Sequence, residues 1–166
     1  VIVEARPGSE TLYGCKTITQ GHPLPPYDYE IEINALGRTL KTPIPQPPYI
    51  FSEHQNPPFD GFNVGITWHG HHLSFSKYRF LESEWFKKLL KIPDVRLWSL
   101  QKGECPPFMT AASMENWSET ADLVSKMDLY IGVDTSVAHL CAAMGKPTWV
   151  LACQKGYHSP FFKPDI

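Results

Sequence analysis

The chain lacks the marks of several large protein classes. Its four cysteines, Cys15, Cys105, Cys141 and Cys153, make no CxxC pair and fit no zinc spacing. Cys141 and Cys153 sit in apolar stretches and read as small buried hydrophobes, which fits a reducing, cytoplasmic compartment. No apolar run approaches the length needed to span a bilayer, and no signal peptide opens the chain. A net charge of −2 gives no broad attraction for nucleic acid or an anionic membrane. There is no GxxxxGK[ST] loop, no GxGxxG fingerprint, no HExxH and no GxSxG elbow. There is also no initiating Met, and Val1-Ile2-Val3-Glu4-Ala5 reads as a strand entered in mid-domain. The expectation is therefore a piece of a longer chain.

What is present describes a packed α/β unit. Hydrophobic residues make up 42% of the 166 and charged residues 19%, enough for a core and too apolar for wholesale disorder. Ser9 is placed to cap a short helix to Tyr13, and Lys16 to Thr19 is a second strand. Three prolines make residues 21–29 a loop, and Tyr29-Glu30-Ile31-Glu32-Ile33 alternates like a half-exposed strand. Residues 42–60 hold prolines at 43, 45, 47, 48, 57 and 58, which predicts a stiff extended connection. Its aromatics Tyr49, Phe51 and Phe59 are expected to pack against a neighbour. The reading is residues 1–56 as part of one lobe plus linker, and 57–166 as a ligand-binding lobe.

Beyond the linker, strand and helix patterns alternate. Asn63 to Trp68, Val95 to Leu100, Leu129 to Val133 and Thr148 to Ala152 read as strands. Phe80 to Ile92 reads as an amphipathic helix facing inward through Leu81, Trp85, Leu89 and Ile92, with Glu82, Glu84, Lys87, Lys88 and Lys91 wet. Asn116 with Glu119 forms a capping-box pattern for a helix from Trp117 to Met127. Ser136 to Met144 is a further helix, ended by Gly145 and Pro147. This order implies a Rossmann-like parallel sheet with helices on both faces and a ligand beyond the carboxyl ends of its strands.

Three clusters fall at those ends. Asp134-Thr135-Ser136 joins a buried strand to a helix, whose first amides are unpaired and whose dipole favours an anion. Thr135 and Ser136 would add hydroxyl donors, and His139 shares the helical face of Thr135 and leans toward the N-terminus. The plain alternative is an N-cap at Asp134 or Thr135 with His139 packed on the sheet. The second cluster follows Trp68: His69, Gly70, His71 and His72, then Ser74, Ser76, Lys77 and Arg79. Gly70 permits a close backbone approach, and Lys77 and Arg79 could neutralise a diphosphate or be a solvated pair. Adjacent histidines in a loop converge poorly on one ion, so no metal is expected. The third is Ser99-Leu100-Gln101-Lys102-Gly103, where Gln101 could bond a base or ribose.

The ordered runs Phe62-Asn63-Val64-Gly65-Ile66-Thr67-Trp68-His69-Gly70, Trp98-Ser99-Leu100-Gln101-Lys102-Gly103, Thr120-Ala121-Asp122-Leu123, Asp128 to Leu140 and Gly145-Lys146-Pro147-Thr148-Trp149-Val150-Leu151 carry a family resemblance. They resemble the C-terminal lobe of GT-B glycosyltransferases, above all the heptosyltransferase-like enzymes and the similar domain that follows TPR repeats in many bacterial proteins. Pro25-Pro26-Tyr27-Asp28-Tyr29 and Pro47-Pro48-Tyr49-Ile50 look like the end of the family's first lobe and its linker. The resemblance implies a nucleotide-diphosphate sugar in a cleft between two lobes, without an obligatory metal or other cofactor. Asp134, Thr135, Ser136 and His139 would contact its phosphates and sugar. Lys77 or Arg79 would neutralise the diphosphate, and Gln101 would lie near the nucleoside. The acceptor would be a glycan, lipid or protein, and the catalytic base would come from the first lobe. A loop reading His71-His72-Leu73-Ser74-Phe75-Ser76-Lys77-Tyr78-Arg79 departs from the His and Arg-Ser pair of the TPR-linked relatives. Two other readings follow from the same residues. One is a nucleotide-binding or assembly module without catalysis, prone to self-association. The other is an epimerase of the same architecture, which would need carboxylate pairs the C-terminal loops lack.

Overall fold

The computed structural model describes residues 1–32, 35, 39–41, 46–52, 54, 57–70 and 79–152. Among the described residues there are two parallel sheets. The small one pairs β1 (Ile2–Ala5) with β2 (Lys16–Thr19) around a 3-10 turn at Glu10–Leu12. The larger contains β3 (Phe62–Thr67), β4 (Val95–Ser99), β5 (Leu129–Gly132) and β6 (Thr148–Val150), in the spatial order β4-β3-β5-β6. Helix α1 spans Trp117–Ser125 and α2 spans Ser136–Ala143. The chain is thus an α/β protein with a Rossmann-like parallel sheet, as its alternating pattern predicts.

Side-chain alternation on β3 divides the core in two. Val64 and Ile66 join Leu97, Ile131 and Phe86 on one face. On the other, Tyr130, Leu100 and Met127 pack with Ala121, Val124, Ala138 and Leu140 of the two α-helices. Gly65 points to this second face, where an added Cβ would lie 2.4 Å from Leu100 Cδ1. The two α-helices therefore cover one face, and the 3-10 helix Ser83–Lys91, which carries Phe86, covers the other.

The segment before β4 departs from the expected α-helix. It is a 3-10 helix, Ser83–Lys91. At three residues per turn, Ser83, Phe86 and Leu89 share the inward side. Trp85 and Ile92 are consequently 65% and 52% exposed, not buried as a 3.6-residue period predicts. Glu82, Glu84, Lys87, Lys88 and Lys91 are exposed as expected.

Helix α1 starts as its capping box requires. Asn116 Oδ1 accepts from the Glu119 amide at 2.9 Å, and Asn116 Nδ2 donates to Glu119 Oε1 at 3.0 Å. The Ser113 hydroxyl and the Glu115 amide also donate to Glu119, and hold its carboxyl below the ordinary 4.5. Asn116→Ala should cost about 1 kcal/mol in a denaturant melt at neutral pH. Because the Glu119 pKa is depressed on folding, the stability it adds is complete above the ordinary glutamate range. That contribution is lost as the pH falls through the folded value, so an acid titration of the melt should narrow the gap between Asn116→Ala and the parent.

The proline-rich segment docks on the end of α2. The Tyr49 and Ile50 amides both donate to the Ala143 carbonyl, at 2.9 and 3.2 Å. Ile50 packs into the core, while Tyr49 and Phe51 are 47% and 69% exposed. An extended chain turns alternate side chains in opposite directions, so the aromatics flanking Ile50 face out rather than packing as expected. Phe59 does pack, stacked on Trp98 with ring centroids 4.2 Å apart. Tyr29 to Glu32 form no strand, and Tyr29 is 94% exposed; Ile33 lies outside the described residues. Ser9 bonds the Arg6 carbonyl instead of capping the turn that follows it.

Candidate functional site

In the large sheet the chain moves from β3 outward to β4, then returns past β3 to β5. The crevice beyond the carboxyl ends of β3 and β5 is thus the topological switch point, where open α/β sheets bind ligands. Two of the expected clusters meet there. The Leu151 amide bonds the Gly132 carbonyl and the Val133 amide bonds the Thr67 carbonyl, which brings the strand ends level.

Thr135 is the N-cap of α2, its hydroxyl accepting from the Ala138 amide at 3.4 Å. The His139 amide bonds the Thr135 carbonyl. Among the described residues nothing accepts from the amides of Ser136 and Val137. Ser136 is exposed and Val137 half-buried, so both amides lie at an open helix N-terminus.

Arg79 comes from the loop after β3 and donates through Nη1 to the Asp134 carbonyl at 3.0 Å, with Asp134 Oδ2 3.7 Å away. His139 leans back along α2, its Nε2 3.2 Å from Asp134 Oδ1. Arg79, Asp134, Thr135, Ser136 and His139 are therefore one cluster. Gly70 lies beneath it, its amide bonding the Arg79 carbonyl at 3.0 Å. An added Cβ at Gly70 would meet the guanidinium at an ordinary 3.5 Å, so the turn does not depend on glycine here. Lys77, with His71, His72, Ser74 and Ser76, lies outside the described residues, as does Cys153.

Gln101 takes a different part from the one its sequence context suggested. Its side-chain oxygen lies 3.3 Å from the amides of both Trp68 and His69, tying the end of β4 to the loop after β3. Only the Gln101 NH2 remains to address a ligand. His69 is braced beside it, Nε2 2.9 Å from Glu104 Oε1. Next to Gln101 is a cavity of about 320 Å³ lined by Ser99, Glu104, Cys105, Ala112 and Met114 among others.

Two features escaped the sequence reading. Tyr130, wholly buried, carries a hydroxyl to the back of the β5–α2 turn. The signal available was a tyrosine in an otherwise aliphatic strand with glycine two residues on, on the same face. The second is His54 Nδ1, 2.7 Å from Asp122 Oδ2, with the Ser52 hydroxyl on Asp122 Oδ1, which pins the linker to α1. Burial raises the Asp122 pKa, but the Ser52 and His54 hydrogen bonds outweigh it and leave the carboxyl below its usual range. Cys141 is buried as expected, and burial pushes its thiol up to about 12.

Among the described residues no three His, Cys, Asp or Glu side chains gather as metal ligands would, and no helix is long and apolar enough to cross a membrane. Comparison with curated proteins gives no match, and comparison with solved structures gives none either. Residues 100–151, running from just past β4 through β6 and so including the Asp134-Thr135-Ser136 turn and His139, match the family model of glycosyltransferase family 9 (heptosyltransferase).

Proposed function

We propose that this chain supplies the donor-binding part of a glycosyltransferase, with a nucleotide-diphosphate sugar lying across the carboxyl ends of β3, β4 and β5. The observation that carries the reading is the β5–α2 turn. It sits at the switch point with two amides that have no acceptor among the described residues, has Arg79 held against it, and falls inside the stretch similar to a glycosyltransferase family. When the bond between sugar and diphosphate breaks, negative charge grows on the departing phosphate. Amides already aimed at that oxygen, and a guanidinium already in place, lower the barrier because nothing need reorganise. This chemistry asks for no metal.

Asp134 and His139 would address the sugar, and Lys77 would be a second cation beside Arg79. The cavity next to Gln101 would take the nucleoside. In this reading residues 1–56 belong to the first lobe and linker of a GT-B enzyme, and 57–166 to its donor-binding lobe. The base that takes the acceptor's proton would stand in the first lobe. The acceptor would be a glycan, lipid or protein, and the chain would be akin to heptosyltransferases and the TPR-linked bacterial enzymes.

Calorimetric titration of the chain with UDP, ADP and GDP tests this directly. Saturable binding of one of them is expected. A folded sample that gives no heat with any of the three at millimolar concentration would overturn the reading.

A further inference from the structure

Tyr130 is the largest side chain among the fully buried described residues. Three oxygens surround its hydroxyl: Thr67 Oγ1 at 2.5 Å, the Val133 carbonyl at 3.1 Å and Thr135 Oγ1 at 3.2 Å. A phenol has one proton to give, and its oxygen can accept from others. The Val133 carbonyl can only accept, Val133 is buried, and no described backbone amide donates to it. Giving the phenolic proton to Val133 and accepting one from each threonine satisfies every group, as buried polar atoms require.

Thr135 then has nothing left to donate outward. Its proton points back to Tyr130, and a lone pair faces the Ala138 amide at 3.4 Å. Gly132 makes room for the arrangement. A Cβ there would lie 2.5 Å from Thr67 Oγ1, 2.6 Å from the Thr67 carbonyl and 2.7 Å from the Tyr130 hydroxyl. Burial raises the pKa of the phenol, which keeps that proton on oxygen at neutral pH.

We infer that Tyr130 is a positioning residue for the anion-binding turn. Through Thr135 it fixes the first turn of α2, so that the Ser136 and Val137 amides, and not the Thr135 hydroxyl, meet the donor's phosphate. The inference rests on the donor-binding reading above and adds to it which groups do the binding. Thr135, expected from its sequence position to donate a hydroxyl to the ligand, becomes part of the support.

The test uses Tyr130→Phe, Thr67→Val and Thr67→Ser in the whole chain. Three quantities are read: the thermal melt, the exchange rate of the Ala138 amide, and calorimetric affinity for whichever of UDP, ADP or GDP the parent binds. Tyr130→Phe is expected to stay folded and to lose about fivefold in affinity, the worth of one neutral hydrogen bond, with Ala138 exchange faster by a similar factor. Thr67→Val should move both quantities the same way, and Thr67→Ser, which keeps the hydroxyl, should restore them. Should Tyr130→Phe fail to fold, the Thr67 pair carries the comparison. Unchanged affinity and unchanged Ala138 exchange in the folded variants overturn the inference. So does a Thr135→Val change that weakens binding as much on the Tyr130→Phe background as on the parent, because Thr135 would then act independently. If the parent binds no nucleotide, the donor-binding reading fails, while Ala138 exchange still decides whether Tyr130 governs the turn.

Discussion

Asn63→Leu is expected to destabilise the chain by about 3 kcal/mol, lowering the melting midpoint by roughly 6–12 °C. Asn63 is 1% exposed and is the second residue of β3, the earlier of the two inner strands in chain order. Its Oδ1 accepts from Trp98 Nε1 at 2.9 Å, and its Nδ2 donates to the Gly61 carbonyl at 3.0 Å. Its own amide is taken by Asp128 Oδ2 at 2.7 Å. The side chain thus joins the end of the linker to β4, and the backbone amide holds the residue leading into β5. Leucine has nearly the same shape but offers neither group, so the half-buried indole N–H of Trp98 loses its partner, while the carbonyl of the exposed Gly61 can turn to water. Leaving that N–H unmet costs more than its bond gains. Asn63→Asp should be worse at neutral pH. The introduced carboxylate would face the Gly61 carbonyl and Asp128, so burial and like charge would raise its folded pKa above its unfolded one. Its penalty is then small at low pH and grows as the pH rises through that folded value. Melts at pH 5 and pH 8 that lose the same stability would refute this account of the site.

The parts of the fold that were legible in the sequence are those fixed by near neighbours. Asn116 and Glu119 are three residues apart and cap α1 as their spacing predicts. Gly145 takes φ +72° at the end of α2, where a glycine stop is expected, and rests against Pro48. The strand–Asp134-Thr135-Ser136–helix order places a helix N-terminus at the end of β5 without knowledge of the sheet. What could not be read depends on register. The β3–β5 pairing sets Thr67 opposite Gly132, and only then does the Tyr130 hydroxyl find Thr67. The same holds for Gln101, whose oxygen is claimed by two amides more than thirty positions away. The Phe80 to Ile92 pattern misled for another reason. Leu81, Trp85, Leu89 and Ile92 suit a 3.6-residue turn, whereas tertiary packing selects Phe86, which that stripe omits.

Arg79→Gln should cost between about tenfold and a hundredfold in nucleotide affinity, the worth of charge-assisted contacts to a diphosphate, while changing the melt little. The Arg79 side chain is half-buried, and its ion pair with Asp134 is long at 3.7 Å, a contact of the kind that adds about 0–1 kcal/mol. Its position, however, decides the charge of the site. Without it the nearest described polar groups at the turn are Asp134, a carboxylate that repels phosphate, and His139, whose Nε2 already lies 3.2 Å from that carboxylate. Arg79 also spans the crevice from the loop after β3 to the Asp134 carbonyl. It therefore holds a cation beside the Ser136 and Val137 amides before any ligand arrives. Arg79→Lys keeps the charge but gives up the fork that can hold Asp134 and a phosphate oxygen together, and should fall between the parent and Arg79→Gln. The parent's affinity should weaken as salt is raised, and Arg79→Gln should show a shallower dependence, since a cation only half-buried acts through a partly screened field. Equal affinity and equal salt dependence in the parent and Arg79→Gln would remove Arg79 from the site and leave the helix amides alone to account for any binding.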